Sequence, residues 1–81
     1  MRFPEETSAD VVTRLRRIEG QIRGVQRLVE EGAECRDVVT QLAAARAALD
    51  RVGFKLLSSA MSRADDDVDL DELEKLFLKL S

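Results

Sequence analysis

The cationic side chains that could bind phosphate are concentrated in one short stretch. Residues 11–27 carry five arginines and a single acidic residue, a net charge of +4. Arg51 and Lys55 follow later, four residues apart. The planar guanidinium group of arginine suits phosphate, so this stretch could bind nucleic acid. The alternative is a solvated surface on which the arginines pair with nearby acids: Glu19, Glu30, Glu31 and Glu34.

Cys35 is the one cysteine of the chain, and the chain has no histidine. A single cysteine cannot close an internal disulfide, and alone it cannot hold a structural zinc ion. It lies at the expected start of a helix, where the helix dipole and unpaired N–H groups would favour a thiolate. Arg36 adds a positive charge there, whereas Glu34 and Asp37 oppose it. Cys35 is therefore an ordinary small apolar residue, a reactive thiol sensor, or one ligand of a site between subunits.

Composition excludes several classes of protein. The 81 residues are 44% hydrophobic, 36% charged and 4% aromatic, which favours one small helical domain over residues 1–81. No apolar run is long enough to span a membrane and no signal peptide opens the sequence, so we expect a cytoplasmic protein. Without histidine, a catalytic triad or a phosphate-binding loop, an enzyme is the least favoured class.

Charge is distributed unevenly around a net value of −3. The basic stretch is followed, near the end of the chain, by an acidic one from Asp65 to Asp71. This acidic stretch lacks the glycine and the closing glutamate of a calcium-binding loop. We interpret it as a solvated linker and helix cap.

Hydrophobic spacing predicts an all-α fold of three helices. Apolar residues step by four and three along residues 11–29 and again along residues 38–56, the pattern of an apolar helical stripe. A shorter apolar face follows near the end of the chain. The expected helices are helix 1 over about residues 8–31, helix 2 over about 35–63 and helix 3 over about 70–80.

Local signals mark the ends of these helices. Thr7 or Ser8 can cap the start of helix 1, and Gly32 can end it in a left-handed conformation. Asp69 and Glu72 have the spacing of a capping box for helix 3.

The short joint between helices 1 and 2 sets the expected architecture. Only two to four residues connect them, so the two helices should fold back antiparallel. One such hairpin with a short third helix cannot bury both stripes. The simplest closure is an antiparallel four-helix bundle made from two protomers.

Two blocks of the sequence carry a family resemblance: RLRRIEGQIRGV at residues 14–25 and CRDVVTQL at residues 35–42. They resemble the CsoR/RcnR/FrmR family of bacterial transcriptional repressors over residues 11 to about 64. The resemblance implies a three-helix protomer that dimerises into a four-helix bundle, with dimers pairing into a tetramer. It also implies repression by binding operator DNA, and release from DNA when an effector binds.

The resemblance also points to residues that bind DNA. Arginines matching Arg14 and Arg51 contribute to DNA binding in the copper-sensing members. The basic surface of the chain adds Arg16, Arg17 and Lys55 as further candidates. The expected partners are therefore operator DNA and other copies of the chain, with no membrane.

The sensor positions depart from the family pattern. Copper-sensing members use a Cys-His-Cys set, of which Cys35 matches the first ligand and helix 2 of the partner subunit supplies the others. Those positions follow 25 and 29 residues later, roughly 37–43 Å along a straight helix, so only an antiparallel partner could bring them to the cysteine. They are Ala60 and Ala64 here, and neither can ligate a metal. We therefore expect no cofactor and no Cu(I) site of the family type.

Other sensing chemistries of the family also lack residues here. Cobalt or nickel sensing needs several histidines, persulfide sensing needs a second cysteine, and formaldehyde sensing needs an N-terminal proline amine, whereas Pro4 is internal. We expect a repressor released by alkylation or oxidation at or near Cys35. The alternatives are a constitutive or paralogue-dependent repressor without its own sensor site, and a helical module that binds another protein.

Overall fold

The computed structural model describes residues 2–62 and 69–81, which form three helices. They are α1 (Glu5–Glu30), α2 (Cys35–Met61) and α3 (Leu70–Leu80). No strand occurs in these two ranges, so the all-α expectation is confirmed. Within the same ranges, no helix combines the length and the apolar character needed to cross a membrane.

Helices α1 and α2 form an antiparallel hairpin. Thr7, near the start of α1, contacts Ser59 near the end of α2, and Asp10 contacts Lys55 one turn further in. Helix α3 packs against α2.

Helix α1 begins three residues earlier than expected, at Glu5. Pro4 precedes it in an extended conformation, and its carbonyl accepts a hydrogen bond from the N–H of Ser8 at 3.0 Å. Neither Thr7 nor Ser8 caps the helix, because both lie inside it. The proline ring holds φ near the value that a helix entrance needs, and two glutamates in the first turn complement the helix dipole.

Helix α1 ends at a left-handed glycine, as the sequence predicts. Gly32 has φ +71°. The N–H of Ala33 donates to the carbonyl of Leu28 at 2.9 Å, and the N–H of Gly32 donates to the carbonyl of Val29 at 3.1 Å. These two bonds form a Schellman motif, which satisfies the last carbonyls of the helix. The chain can therefore turn at once into α2.

Helix α3 has a side-chain cap and a close approach to α2. The Asp69 carboxylate accepts hydrogen bonds from the N–H groups of Asp71 and Glu72, at 3.0 and 3.3 Å. A Cβ atom on Gly53 would lie 2.5 Å from a methyl carbon of Leu80, so this glycine lets α3 settle on α2. The interpretation of the acidic stretch as a linker and helix cap is confirmed for the cap, at Asp69. The linker part of that interpretation falls on residues 63–68, which lie outside the described residues.

The core uses only half of each apolar stripe. Val11 and Ile18 of α1 are packed with Val52 of α2, and all three side chains are 4–6% exposed. The alternate stripe residues point away from the hairpin and are 36–59% exposed: Leu15, Ile22, Val29, Leu42 and Leu49. One protomer therefore presents an uncovered apolar face, which we call the open face.

Candidate nucleic-acid interface

Four of the five candidate DNA-binding cations surround two adjoining grooves between α1 and α2. Arg14 and Arg51 line both grooves. Lys55 lines one of them and Arg17 lines the other. The hairpin thus gathers, from two helices, cations that are far apart in the sequence.

The first groove, which we call the hydroxyl groove, combines cations with hydroxyl groups. It is an open groove with a volume of about 650 Å³. Its polar lining residues are Thr7, Arg14, Arg51, Lys55, Ser58, Ser59 and Ser62. Cationic and hydroxyl donors are the groups that proteins use to bind phosphate oxygens. The groove is therefore suited to an anion, and in particular to a nucleic-acid backbone.

Arg16 does not join the other four cations. It is exposed but lines neither groove. Two residues along an α-helix rotate a side chain by about 200°, so Arg14 and Arg16 lie on nearly opposite sides of α1. The structure thus separates a candidate that the sequence placed with the others.

Asp10 of α1 contacts two cations, Arg14 and Lys55, that line the hydroxyl groove. Its Oδ2 atom accepts hydrogen bonds from Nε of Arg14 at 3.1 Å and from Nζ of Lys55 at 2.6 Å. The hydrogen bond from Lys55, followed by that from Arg14, holds the pKa of the Asp10 carboxyl below its ordinary value. Both ion pairs found among the described residues involve Asp10, rather than the four glutamates considered from the sequence.

Hydroxyl groups tie the end of α2 to the start of α1. The hydroxyl oxygens of Thr7 and Ser59 lie 3.0 Å apart in a partly buried hydrogen bond. The hydroxyl of Ser62 donates to the carbonyl of Ser59 at 2.8 Å. Sequence reasoning missed these residues and Asp10. The only signal for Asp10 was its spacing of four residues from Arg14. Its contact with Lys55, and that of Thr7 with Ser59, join residues that are far apart in the sequence.

Cys35 is exposed at the first position of α2, away from the cationic grooves. It lines an apolar cleft with four other residues: Val29, Ala33, Val38 and Val39. This places the thiol beside the open face, because Val29 belongs to both the cleft and that face.

The residues present do not fit a copper site of the family type. Ala60 lies 25 residues from Cys35 on the same helix, roughly 37 Å away, and its buried methyl group offers no lone pair. Ala64 lies outside the described residues. Within the part of the chain that the structure describes, no three His, Cys, Asp or Glu side chains cluster as metal ligands.

Comparison with known proteins gives a consistent set of relatives. The model of a family described as "metal-sensitive transcriptional repressor" matches residues 7–79. The copper-sensing transcriptional repressor RicR of Mycobacterium tuberculosis is 49% identical over 49 residues, 60% of this chain and 51% of RicR. The copper-sensing transcriptional repressor CsoR of Bacillus subtilis is 34% identical over 79 residues, 88% of this chain and 78% of CsoR. The match thus spans about half the length of RicR and over three quarters of CsoR.

Solved structures share the fold. The nickel-responsive transcriptional regulator InrS superimposes with a TM-score of 0.76 at 37% identity, covering 90% of this chain and 91% of the InrS chain. The copper-sensing repressor CsoR with Cu(I) from Geobacillus thermodenitrificans gives a TM-score of 0.76 at 33% identity, covering 98% of this chain and 91% of that chain. Both likenesses extend over nearly the whole chain.

Proposed function

Because the chain belongs to the metal-sensitive transcriptional repressor family, we propose that it represses transcription by binding operator DNA across the grooves between α1 and α2. The observation that carries the proposal is the convergence of Arg14, Arg51 and Lys55 on the hydroxyl groove. Such a surface contacts backbone phosphates, so DNA shape and deformability supply much of the specificity. The family is one of repressors rather than enzymes.

A second copy of the chain covers the open face in this proposal. Two hairpins packed through their open faces make an antiparallel four-helix bundle, and two such dimers make the tetramer. Symmetry then repeats every groove, which widens the basic surface for DNA. Since operator DNA is the partner, we place the repressor in the cytoplasm.

The effector acts at Cys35 rather than through coordination of Cu(I). The exposed thiol in its apolar cleft supports this step, as does the methyl group of Ala60 where the family pattern has a ligand. With an aldehyde such as formaldehyde, Sγ would bond to the carbonyl carbon as the C=O π bond breaks and its electron pair passes to the oxygen. Solvent would relay the thiol proton to that oxygen. The added group would lie between protomers and favour an arrangement of the bundle with lower DNA affinity.

The DNA-binding step is tested with a fluorescent duplex from the region upstream of the protein's own coding sequence, titrated over a range of salt concentrations. Arg51→Ala should weaken binding and reduce the slope of log affinity against log salt by about one unit per groove. Arg46→Ala is the matched control, because Arg46 lies on α2 outside both grooves. If the wild-type protein binds no duplex at low salt, the repressor proposal fails in favour of a protein-interaction module.

The effector step is tested by adding copper(I), formaldehyde and a persulfide donor, one at a time, to the DNA complex. A thiol-reactive compound should release wild-type protein but not Cys35→Ser, whose DNA affinity should be unchanged. Release of the serine variant by that compound would exclude Cys35 as the sensor. A complex that nothing releases would favour the constitutive or paralogue-dependent repressor.

A further inference from the structure

We propose that Asp10 is an internal competitor of DNA phosphate. Its carboxylate holds Arg14 and Lys55 in the free protein and gives them up when DNA binds. The inference rests on the proposed DNA-binding function and adds a control of affinity within the same groove. The observation behind it is the pair of hydrogen bonds that reach one carboxylate oxygen from two helices.

The carboxylate and a phosphate compete for the same two N–H donors. Nε of Arg14 and Nζ of Lys55 both point at Oδ2 of Asp10, at 3.1 and 2.6 Å. A phosphate oxygen that received the same donors would have to take the place of Oδ2, since two anions of like charge repel at that distance. Arg51 lines the same groove without an ion pair to Asp10, so it can receive the incoming phosphate first.

The contact is also open enough to be exchanged. The three side chains are 40–44% exposed, so solvent screens the pairs and each contributes little to folding. DNA can therefore compete for both cations without opening the core of the hairpin. The Asp10 carboxylate therefore affects DNA affinity more than it affects folding stability.

Charge arithmetic predicts a specific signature in salt. Arg14 and Lys55 with Asp10 carry a net charge of +1, and without the carboxylate they would carry +2. Because the salt slope counts the phosphates that a protein neutralises, removing the carboxylate should steepen the slope by about one unit per groove. Removing the carboxylate should also tighten DNA binding at low salt. This gain in affinity should shrink by about threefold between 50 and 200 mM salt.

The competition does not depend on DNA sequence. Every duplex meets the same carboxylate beside the two cations, and phosphate contacts carry no sequence information. Removing the carboxylate should therefore tighten binding to operator and scrambled duplexes by the same factor. Asp10 lowers overall DNA affinity and leaves the ratio of specific to nonspecific binding unchanged.

The test compares Asp10→Asn with wild-type protein by fluorescence anisotropy on an operator duplex and a scrambled duplex, from 50 to 200 mM salt. We expect about threefold or greater tightening at 50 mM salt, a steeper slope and an unchanged specificity ratio. Asp37→Asn removes the same charge from the first turn of α2, away from the groove, and should bind as wild type. Asp10→Glu keeps the charge and should also stay near wild type. Equal or weaker DNA binding by Asp10→Asn, with its helix content intact, would overturn the inference while the repressor proposal stands.

A second probe separates the two proposals. Heparin is a sulfated polyanion. If the Asp10 carboxylate competes with anions for the two cations, heparin should also bind Asp10→Asn more tightly than wild type. If wild-type protein binds heparin but no duplex, the repressor proposal fails and the heparin comparison still decides the role of Asp10. If wild-type protein and Asp10→Asn bind heparin equally, the proposed role of Asp10 as a competitor is overturned.

Discussion

The Asp10 carboxylate makes the stability of the folded protein depend on pH. Hydrogen bonds from Lys55 and Arg14 lower its pKa in the folded protein below the ordinary value of 3.8. A carboxyl whose pKa is lower when folded contributes its stability fully above the unfolded value, and loses that contribution as pH falls through the folded value. The effect is small because the three side chains are exposed to solvent.

Asp10→Asn should therefore melt slightly below wild type at neutral pH, and the two melting temperatures should converge as the pH falls below about 3.8. The measurement is thermal unfolding followed by circular dichroism between pH 7 and pH 3, at a fixed protein concentration. Asp37→Asn provides the comparison for a carboxylate without an ion pair. A difference that stays constant down to pH 3 would contradict the pairing of Asp10 with its two cations.

Substitution of glycine by alanine should have opposite effects on stability at two positions, inside α1 and just after its end. Gly32 has φ +71°, a conformation that costs an L side chain about 1–2 kcal/mol. Gly20 lies inside α1, and a Cβ atom there would meet nothing within 4 Å. An interior glycine costs a helix about 1 kcal/mol relative to alanine.

We expect Gly32→Ala to lower the free energy of unfolding by about 1 kcal/mol, and Gly20→Ala to raise it by about 1 kcal/mol. Urea unfolding at one matched protomer concentration would measure both, since self-association shifts apparent stability. Gly32→Asn should lose less than Gly32→Ala, because asparagine tolerates the left-handed region. Shifts of the same sign for the two alanine variants would contradict the assignment of Gly32 as the C-terminal cap.

At the scale of the whole molecule, the protomer is too thin to cover its apolar residues. Its principal extents are 51 × 24 × 13 Å, so the third dimension holds a single layer of helices. The open face, which includes Ile22 and Leu49 at 45% and 49% exposure, has no second layer over it. Apolar patches of this kind mark interaction surfaces, and a second copy of the chain supplies a matching one.

Leu49→Glu should accordingly weaken self-association at least about 100-fold, because two copies of the leucine leave the interface and burial of each contributes roughly 2 kcal/mol. Sedimentation equilibrium over a range of concentrations measures the shift towards monomer. Ala47→Glu is the control, since residue 47 lies on the far side of α2 from Leu49. An unchanged assembly in Leu49→Glu would show that the open face is not the contact between copies.

The sequence alone determined the three helices, because helices and their ends depend on neighbours three or four residues away. The apolar spacing located α1 and α2, Gly32 marked the end of one helix, and Asp69 the start of another. The start of α1 was placed too late because the hydroxyl residues suggested a cap, whereas Pro4 begins the helix without a side-chain hydrogen bond.

Only the tertiary structure decided which groups meet across the hairpin. The pairings of Asp10 with Lys55 and of Thr7 with Ser59 depend on how far α1 slides along α2, and hydrophobic periodicity does not specify that axial register. Helical periodicity alone puts Arg16 on the opposite side of α1 from Arg14, outside the grooves. The way the two helices face each other leaves half of each apolar stripe on the open face. Helical periodicity sets the direction of each side chain around its own axis, whereas a site built from two helices also requires their relative position, which packing alone supplies.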